Sequence, residues 1–147
     1  MDQLRRRKAT GLLFGAYCLM MLWLLFLRRI GAGPGVGQFN LQPMETVIRY
    51  LWVLRHSQDP AQYGNAMANL FGNVGLFLPL GAFLPILFSL LRKFWTFFLW
   101  SVLVILTLEL MQAVTGLGTC DVDDVILNLA GTTLGWLLWR LFPKFQT

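Results

Sequence analysis

Four long apolar stretches dominate the pattern of hydrophobic and polar positions along the chain. Each holds at most one charged residue over 18 to 23 positions. That is about the length a helix needs to cross the roughly 30 Å hydrocarbon core of a bilayer. The pattern predicts membrane-spanning helices over residues 9–27, 69–91, 94–114 and 125–142.

The 41-residue segment between the first two stretches, residues 28–68, is too long for a featureless connection in a compact protein. Its residues 31–37 are rich in glycine and predict a flexible turn. Further on, Met44, Val47, Ile48 and Leu51 recur at helical spacing between polar residues. We predict an amphipathic helix over residues 44–54 that lies at the outer membrane interface.

Together these elements predict an all-α membrane protein with four transmembrane helices plus an amphipathic interfacial helix in the first outer loop. The chain, residues 1–147, is expected to form a single domain. Its composition agrees, because 56% of the residues are hydrophobic and only 13% are charged.

Basic residues outnumber acidic residues by 12 to 7, and they flank the apolar stretches. Eight of them lie in the N-terminal segment, the turn between the second and third spans, and the C-terminal segment. Four lie between the first and second spans, and none between the third and fourth. The positive-inside rule therefore predicts that both termini are cytoplasmic. This placement indicates membrane flanks and no nucleic-acid partner.

The residues that could form a disulfide or bind a metal are few and far apart. Cys18 lies inside an apolar stretch, Cys120 lies in a short loop, and the only histidine is His56. No Cys or His stands at ligand spacing from another, so we expect neither a disulfide framework nor a metal or other cofactor.

Polar side chains within the apolar stretches carry the functional information, because an amide or acid in lipid needs a partner or water. Asn69 and Asn73 are four positions apart and share a helical face. Glu109 and Gln112, near the outer end of the third span, are three positions apart and also share a face. Each pair can point towards the inside of the bundle.

The fourth span begins with a regular stripe of polar and small residues. Asp121, Asp124, Asn128, Gly131 and Gly135 advance by 3, 4, 3 and 4 positions, as one helical face requires. Capping of the helix N-terminus would explain one or two of the acids but not the amide in line beneath them. Asp123 falls off this stripe.

The predicted topology brings the three polar groups to the same depth below the outer face. We therefore predict one shared ligand-binding recess, with no catalytic residue assigned. Its expected lining residues are Asn69, Asn73, Glu109, Gln112, Asp121, Asp124 and Asn128. We also expect at least one of the outer arginines to pair with the acids. These arginines are Arg28, Arg29, Arg49 and Arg55.

Four short blocks of this sequence match the motifs of a known family. Residues 40–43 are similar to an N-L-x-P segment and residues 69–81 to an N-x-x-x-N-x-x-x-F-x-P-L-G run. Residues 109–112 are similar to E-x-x-Q and residues 121–131 to D-x-x-D-x-x-x-N-x-x-G. With these blocks the chain resembles the VanZ-like family of bacterial membrane proteins. It departs from many members in having Gly118-Thr119-Cys120 where they carry an arginine.

The resemblance implies a role in reduced susceptibility to teicoplanin-type glycopeptide antibiotics at the bacterial cytoplasmic membrane. Our first hypothesis is a binding protein without enzymatic activity. Its outer-leaflet recess would engage a membrane lipid headgroup, a lipid-linked cell-wall precursor or a lipoglycopeptide antibiotic.

Two alternatives belong to other functional classes. Glu109 and Asp124 could act as acid and base on a lipid-linked substrate, although no convincing nucleophile accompanies them. A small proton-coupled transporter could use Glu109 as its proton carrier. The sequence does not decide the oligomeric state.

Overall fold

The structure is a helical bundle with one very small sheet. The computed structural model describes residues 2–31, 33 and 35–142. Two strands, β1 (Phe39–Asn40) and β2 (Cys120–Asp121), pair in parallel, and 3-10 turns cover Leu27–Arg29 and Ser89–Arg92. The α-helices of the described chain are α1 (Asp2–Leu25), α2 (Glu45–His56), α3 (Pro60–Leu87), α4 (Phe94–Thr115) and α5 (Val122–Leu141).

A few residues of the segments discussed above lie outside the part of the chain that the structure describes. They are Lys144, which belongs to a predicted membrane flank, Ala32 and Pro34 of the glycine-rich segment, and the side chains of Arg6 and Arg29.

Three helices of the described chain are long and apolar enough to cross a membrane. Their spanning segments are Arg7–Leu25, Pro60–Leu87 and Phe94–Thr115, which correspond to the first three predicted spans. Helix α5 is not among them, because Asp123 and Asp124 in its first turn and Arg140 in its last turn lower its hydropathy. The fourth span stays a prediction.

Helix α3 begins nine residues before the predicted second span. Asp59 precedes its first turn and caps it, since the Asp59 carboxylate accepts a hydrogen bond of 2.9 Å from the amide of Ala61. Pro60 occupies the first helical position, where a missing N–H does no harm. Asn69 and Asn73 therefore lie well inside a helix of 28 residues, whose length of about 42 Å exceeds the hydrocarbon core of a bilayer.

Successive long helices alternate in direction, so that four helix ends meet at one end of the bundle. Helices α1 and α4 end there, and α3 and α5 begin there. The side chain of Gln112 reaches the carbonyl of Leu25 at 3.1 Å, and Asn73 reaches Asp124 at 2.6 Å. At the opposite end, the indole of Trp136 donates to the carbonyl of Leu91 at 3.2 Å. The end of the bundle where α1 and α4 end and α3 and α5 begin is called the polar end below.

Helices α3 and α5 run in parallel and make the most extensive helix contact of the described chain. Glycines allow it. A Cβ atom on Gly131 would collide with the carbonyl of Val74, and one on Gly135 would collide with the carbonyl of Leu78. Small residues at a helix interface let two backbones approach closely in this way. The two glycines of the predicted stripe on α5, Gly131 and Gly135, therefore form a packing face.

The glycine-rich segment packs on the end of α4, although the sequence indicated a flexible turn. The amide of Gly35 donates to the carbonyl of Gly116 at 3.3 Å, and the amide of Gly37 donates to the carbonyl of Ala113 at 2.9 Å. Gly116 ends α4 with a φ of 72°, a left-handed conformation that suits glycine. This contact leads directly into β1, which brings the chain to the start of α5.

Candidate ligand-binding site

The carboxylate of Asp121 joins the start of α5 to β1 and α2, which lie 75 to 81 positions earlier in the chain. Its Oδ2 atom accepts hydrogen bonds from the hydroxyl of Thr46 at 2.7 Å and from the amide of Asn40 at 3.2 Å. Its Oδ1 atom accepts from the backbone amide of Asp123 at 2.9 Å, which caps α5. The capping role considered for the acids is thus present, and the same carboxylate also holds β1 and α2 against α5.

Asp123 is a key residue that the stripe on α5 did not include. Its side chain is 0% exposed, and its two carboxylate oxygens accept from the backbone amides of Met44 at 2.6 Å and Val47 at 3.0 Å. These amides belong to the N-terminus of α2, where Met44 offers no side-chain acceptor. Asp123 therefore supplies from α5 the cap that α2 lacks. That lack of a capping residue is the signal in the sequence that could have revealed it.

Asn73 and Asp124 form a direct contact between α3 and α5. The amide of Asn73 donates to Oδ1 of Asp124 at 2.6 Å, a distance typical of a strong bond to a charged acceptor. Both side chains are half-buried. Two of the predicted polar groups are thus in contact, and Asn73 orients Asp124.

Glu109 and Asn128 form a second polar contact, between α4 and α5. The amide of Asn128 donates to Oε1 of Glu109 at 3.2 Å, and both side chains are buried, Asn128 to 2% exposure. The carbonyl oxygen Oδ1 of Asn128 has no hydrogen-bond partner in the described structure. Glu109 therefore contacts a residue of another helix, α5.

The remaining two predicted residues have separate surroundings. Gln112 is buried and donates to the carbonyl of Leu25, so that it satisfies a carbonyl group at the C-terminal end of α1. Asn69 is half-buried and donates to the carbonyl of Asn65, one turn earlier in α3, at 3.2 Å.

A polar recess of about 560 Å³ opens at the polar end, between α2 and the start of α5. Its volume is within the range typical of small-molecule sites. Of the predicted site residues, Asn69, Asp121 and Asp124 line it. The described residues that line it are Gln38, Phe39, Asn40, Glu45, Thr46, Arg49, Tyr50, Asn69, Thr119, Asp121 and Asp124.

The other predicted residues do not line this recess. Asn73 supports its wall through Asp124, while Glu109, Asn128 and Gln112 belong to the buried contacts of the bundle. A second groove, of about 220 Å³, is lined only by apolar side chains of α3, α5 and Phe142 and offers no polar group to a ligand. The polar recess is therefore the candidate site.

Among the outer arginines whose side chains the structure describes, Arg49 lines the recess together with the acids. Its guanidinium lies 5.4 Å from the centre of the Tyr50 ring, at cation–π distance. The pairing of an arginine with the acids stays a prediction, and Arg49 is now the residue of choice for testing it.

Residues 118–120, where many family members carry an arginine before this block, have backbone and recess roles here. The amide of Gly118 donates to the carbonyl of Gln112 at 3.1 Å, and the amide of Cys120 donates to the carbonyl of Gln38 at 3.0 Å. Thr119 lines the recess. Burial, and to a lesser extent the nearby charges of Glu109 and Asp121, raise the pKa of the Cys120 thiol, which disfavours the thiolate that a nucleophile needs.

Both cysteines are free thiols. Among the described residues, no group of three or more His, Cys, Asp or Glu side chains could hold a metal ion.

The contact between Glu109 and Asn128 leads to a first prediction. Asn128→Asp should lower the stability by about 2 kcal/mol, because a second carboxylate then faces Glu109 in a buried place. Adding Glu109→Gln should restore most of the loss, because the amide at position 109 can donate to the carboxylate at position 128. Thermal unfolding in detergent measures both effects.

Glu109→Gln alone serves as the reference for a double-mutant cycle. If the double variant unfolds at the temperature that simple addition of the two single effects gives, then positions 109 and 128 do not interact.

Comparison with known proteins agrees with the resemblance in the four sequence blocks. The chain matches the VanZ/LLP1 family over residues 14–143, which include α3, α4, α5 and the polar recess. Comparisons with curated proteins and with solved structures give no match. Because the family match covers most of the chain, this protein belongs to the VanZ-like family.

Proposed function

We propose that this protein binds the polar headgroup of an amphiphile in the recess between α2 and α5, at the outer face of the bacterial cytoplasmic membrane. The observation that carries the proposal is the recess itself. It combines charged and amide side chains with an opening beside apolar residues. Phe39 lines it and is 54% exposed, and Ile48, Leu51 and Trp52 of α2 are also exposed. An amphiphile needs such a polar pocket with apolar surroundings.

The proposed membrane arrangement has α5 as a fourth span and α2 in the outer interface. Helix α5 has 20 residues, about 30 Å, and packs along α3. Its first-turn acid Asp123 is satisfied by the amides of α2 and need not face lipid. The exposed apolar residues of α2 favour contact with a membrane surface.

The orientation follows from the charges at the two ends of the bundle. Arg7, Lys8, Arg92 and Arg140 belong to the end opposite the recess. These described basic residues therefore lie on one side. The positive-inside rule makes that side cytoplasmic and the polar end external.

The ligand classes are a membrane lipid headgroup, a lipid-linked cell-wall precursor and a lipoglycopeptide. Each combines a polar group with an apolar chain, as the recess and its surroundings require. The family's association with teicoplanin then corresponds to reduced susceptibility through binding at the outer leaflet.

Antibiotic susceptibility tests this proposal. Cells of a susceptible host that express the protein should tolerate more teicoplanin than cells with an empty vector. Asn69→Ala should remove much of this difference, because a hydrogen bond to a ligand contributes about 1 kcal/mol. Asp124→Asn should remove more, because a charged group is lost from the recess wall. The measurement is the minimum inhibitory concentration at equal membrane abundance of each variant.

Asn65→Ala is the matched control, because Asn65 is exposed one turn before Asn69 and does not line the recess. If both recess variants protect cells as well as the unaltered protein, the recess does not carry the function.

The acid–base alternative receives less support from the geometry. Asp124 lines the recess, whereas Glu109 is buried against Asn128. A catalytic pair should present both groups to one substrate. Conversion of a labelled lipid precursor that depends on Asp124 would favour an enzyme, and dependence of the phenotype on a proton gradient would favour a transporter.

A further inference from the structure

We infer that the headgroup bound in the recess is a zwitterion with a primary ammonium group and a single phosphate diester, as in an ethanolamine phospholipid. The inference rests on the proposed function and names the ligand for that same recess.

Charges of both signs line the recess. Asp121 and Asp124 come from the start of α5, whereas Glu45 and Arg49 come from the first and second turns of α2. A ligand with one positive and one negative group can meet charges of both signs at once. The ammonium group then lies towards the acids and the phosphate towards Arg49.

The formal charges of the described lining side chains sum to −2, because Glu45, Asp121 and Asp124 carry three negative charges and Arg49 carries one positive charge. A pyrophosphate-linked precursor would bring at least two more negative charges into this place. Like charges that share a site disfavour each other, so the recess selects against such a ligand. A zwitterion adds no net charge.

The acids differ in how much of their hydrogen-bonding capacity is already used. Asp121 accepts three hydrogen bonds from Thr46, Asn40 and the backbone of Asp123. Glu45 is exposed and accepts none in the described structure. Since an ionised carboxylate can accept about four hydrogen bonds, Glu45 has its full capacity for the N–H groups of a primary ammonium. Asp124 is half-buried, so water screens its charge less.

Arg49 is well suited to the phosphate. It is exposed at the recess wall, and its planar guanidinium faces the ring of Tyr50. Guanidinium groups bind phosphate oxygens through two parallel hydrogen bonds. The acyl chains of the same molecule can then follow the exposed apolar side chains of α2, among them Ile48 and Leu51.

Native mass spectrometry of the purified full-length protein tests the inference. The probes are dioleoyl phosphatidylethanolamine, dioleoyl phosphatidylcholine, dioleoyl phosphatidylglycerol and a polyprenyl pyrophosphate. Phosphatidylcholine has the same charges as phosphatidylethanolamine but no N–H group. We expect phosphatidylethanolamine to bind about fivefold more tightly than each of the other three, as one or two additional polar contacts predict.

Two variants separate the charges of the recess from general effects on folding. Asp124→Asn should reduce the preference for phosphatidylethanolamine over phosphatidylglycerol to nearly one. Glu45→Gln should reduce it less, and this variant is expected to fold because the Glu45 side chain makes no described hydrogen bond. Asp59→Asn is the control, since it removes one acidic charge at the same end and still caps α3.

The outcomes distinguish this inference from the proposed function. Tightest binding of the pyrophosphate or of phosphatidylglycerol, weakened by Asn69→Ala, would overturn the zwitterion and leave the recess as a lipid site. Binding of all four probes that neither Asn69→Ala nor Asp124→Asn alters would overturn both. A preference for phosphatidylethanolamine that persists in Asp124→Asn and Glu45→Gln would overturn the assignment of the ammonium to these acids.

Discussion

Replacing Asp123 by alanine is expected to release the N-terminus of α2 from the bundle and to lower the stability by about 3 kcal/mol. The carboxylate accepts hydrogen bonds from the amides of Met44 and Val47 and is completely buried. Each hydrogen bond to a charged group contributes about 1.5–3 kcal/mol, and the loss of both leaves two backbone amides at the start of α2 without their acceptor. The polar recess should widen when α2 is released, because α2 forms one of its walls.

Limited proteolysis measures the release of α2. Arg49 and Arg55 lie within α2 and provide trypsin sites that a fixed helix protects. Asp123→Ala should be cleaved there faster than the unaltered protein, and its thermal unfolding in detergent should begin at a lower temperature. Asp123→Asn keeps one acceptor oxygen and should fall between the two.

Asp59→Asn again serves as the control, because position 59 caps α3 at the same end and asparagine caps about as well as aspartate. Equal cleavage rates at Arg49 and Arg55 in Asp123→Ala and the unaltered protein would show that Asp123 does not hold α2.

The fold could be predicted from the sequence wherever the physical signal is local. Apolar length alone identifies α1, α3 and α4 as helices able to cross a membrane. Helical periodicity identifies α2 to within a few residues of its observed bounds. Apolarity fails for the first nine residues of α3, which are rich in small residues and include Gln62 and Asn65. A capping aspartate and a proline at the first position begin the helix there without a long apolar run.

The partners within the site could not be predicted in the same way. Periodicity places Glu109 and Gln112 on one face, yet Glu109 contacts Asn128 and Gln112 contacts Leu25. These contacts join different helices, and their geometry depends on how closely the helices approach. The stripe on α5 was informative because its members share one side of a helix, which then meets both α3 and α4.

Asp123 shows the limit of that reasoning most clearly. It lies one position before a residue of the stripe, and a stripe defined by one helical face excludes it. Its role depends on the N-terminus of α2, which is 76 to 79 positions away in sequence. To find the role of Asp123 from the sequence, one has to ask which backbone amides at the start of α2 lack an acceptor.

Replacing Gly131 or Gly135 by alanine is expected to separate α5 from α3 and to destabilise the protein by about 1–3 kcal/mol each. The added methyl group on Gly131 would meet the backbone carbonyl of Val74, and that on Gly135 would meet the backbone carbonyl of Leu78. A backbone carbonyl within a helix cannot turn aside as a flexible side chain can. The whole helix must move instead.

Gly72 and Gly75 provide matched controls on the facing helix, because a Cβ atom at either position meets nothing within 4 Å. Alanine there should be neutral or stabilising by up to about 1 kcal/mol, since glycine is the poorer helix former. Thermal unfolding in detergent compares the four variants. If Gly131→Ala unfolds at the same temperature as Gly72→Ala, α3 and α5 are not packed too closely at Gly131 to admit a methyl group.

The same substitutions should also affect the recess. Asn73 and Asp124 join α3 to α5 at 2.6 Å, and Val74, which Gly131 contacts, is the next residue after Asn73. An outward shift of α5 near Gly131 therefore lengthens the contact that orients Asp124. Gly131→Ala should accordingly weaken phosphatidylethanolamine binding, whereas Gly72→Ala should leave it unchanged.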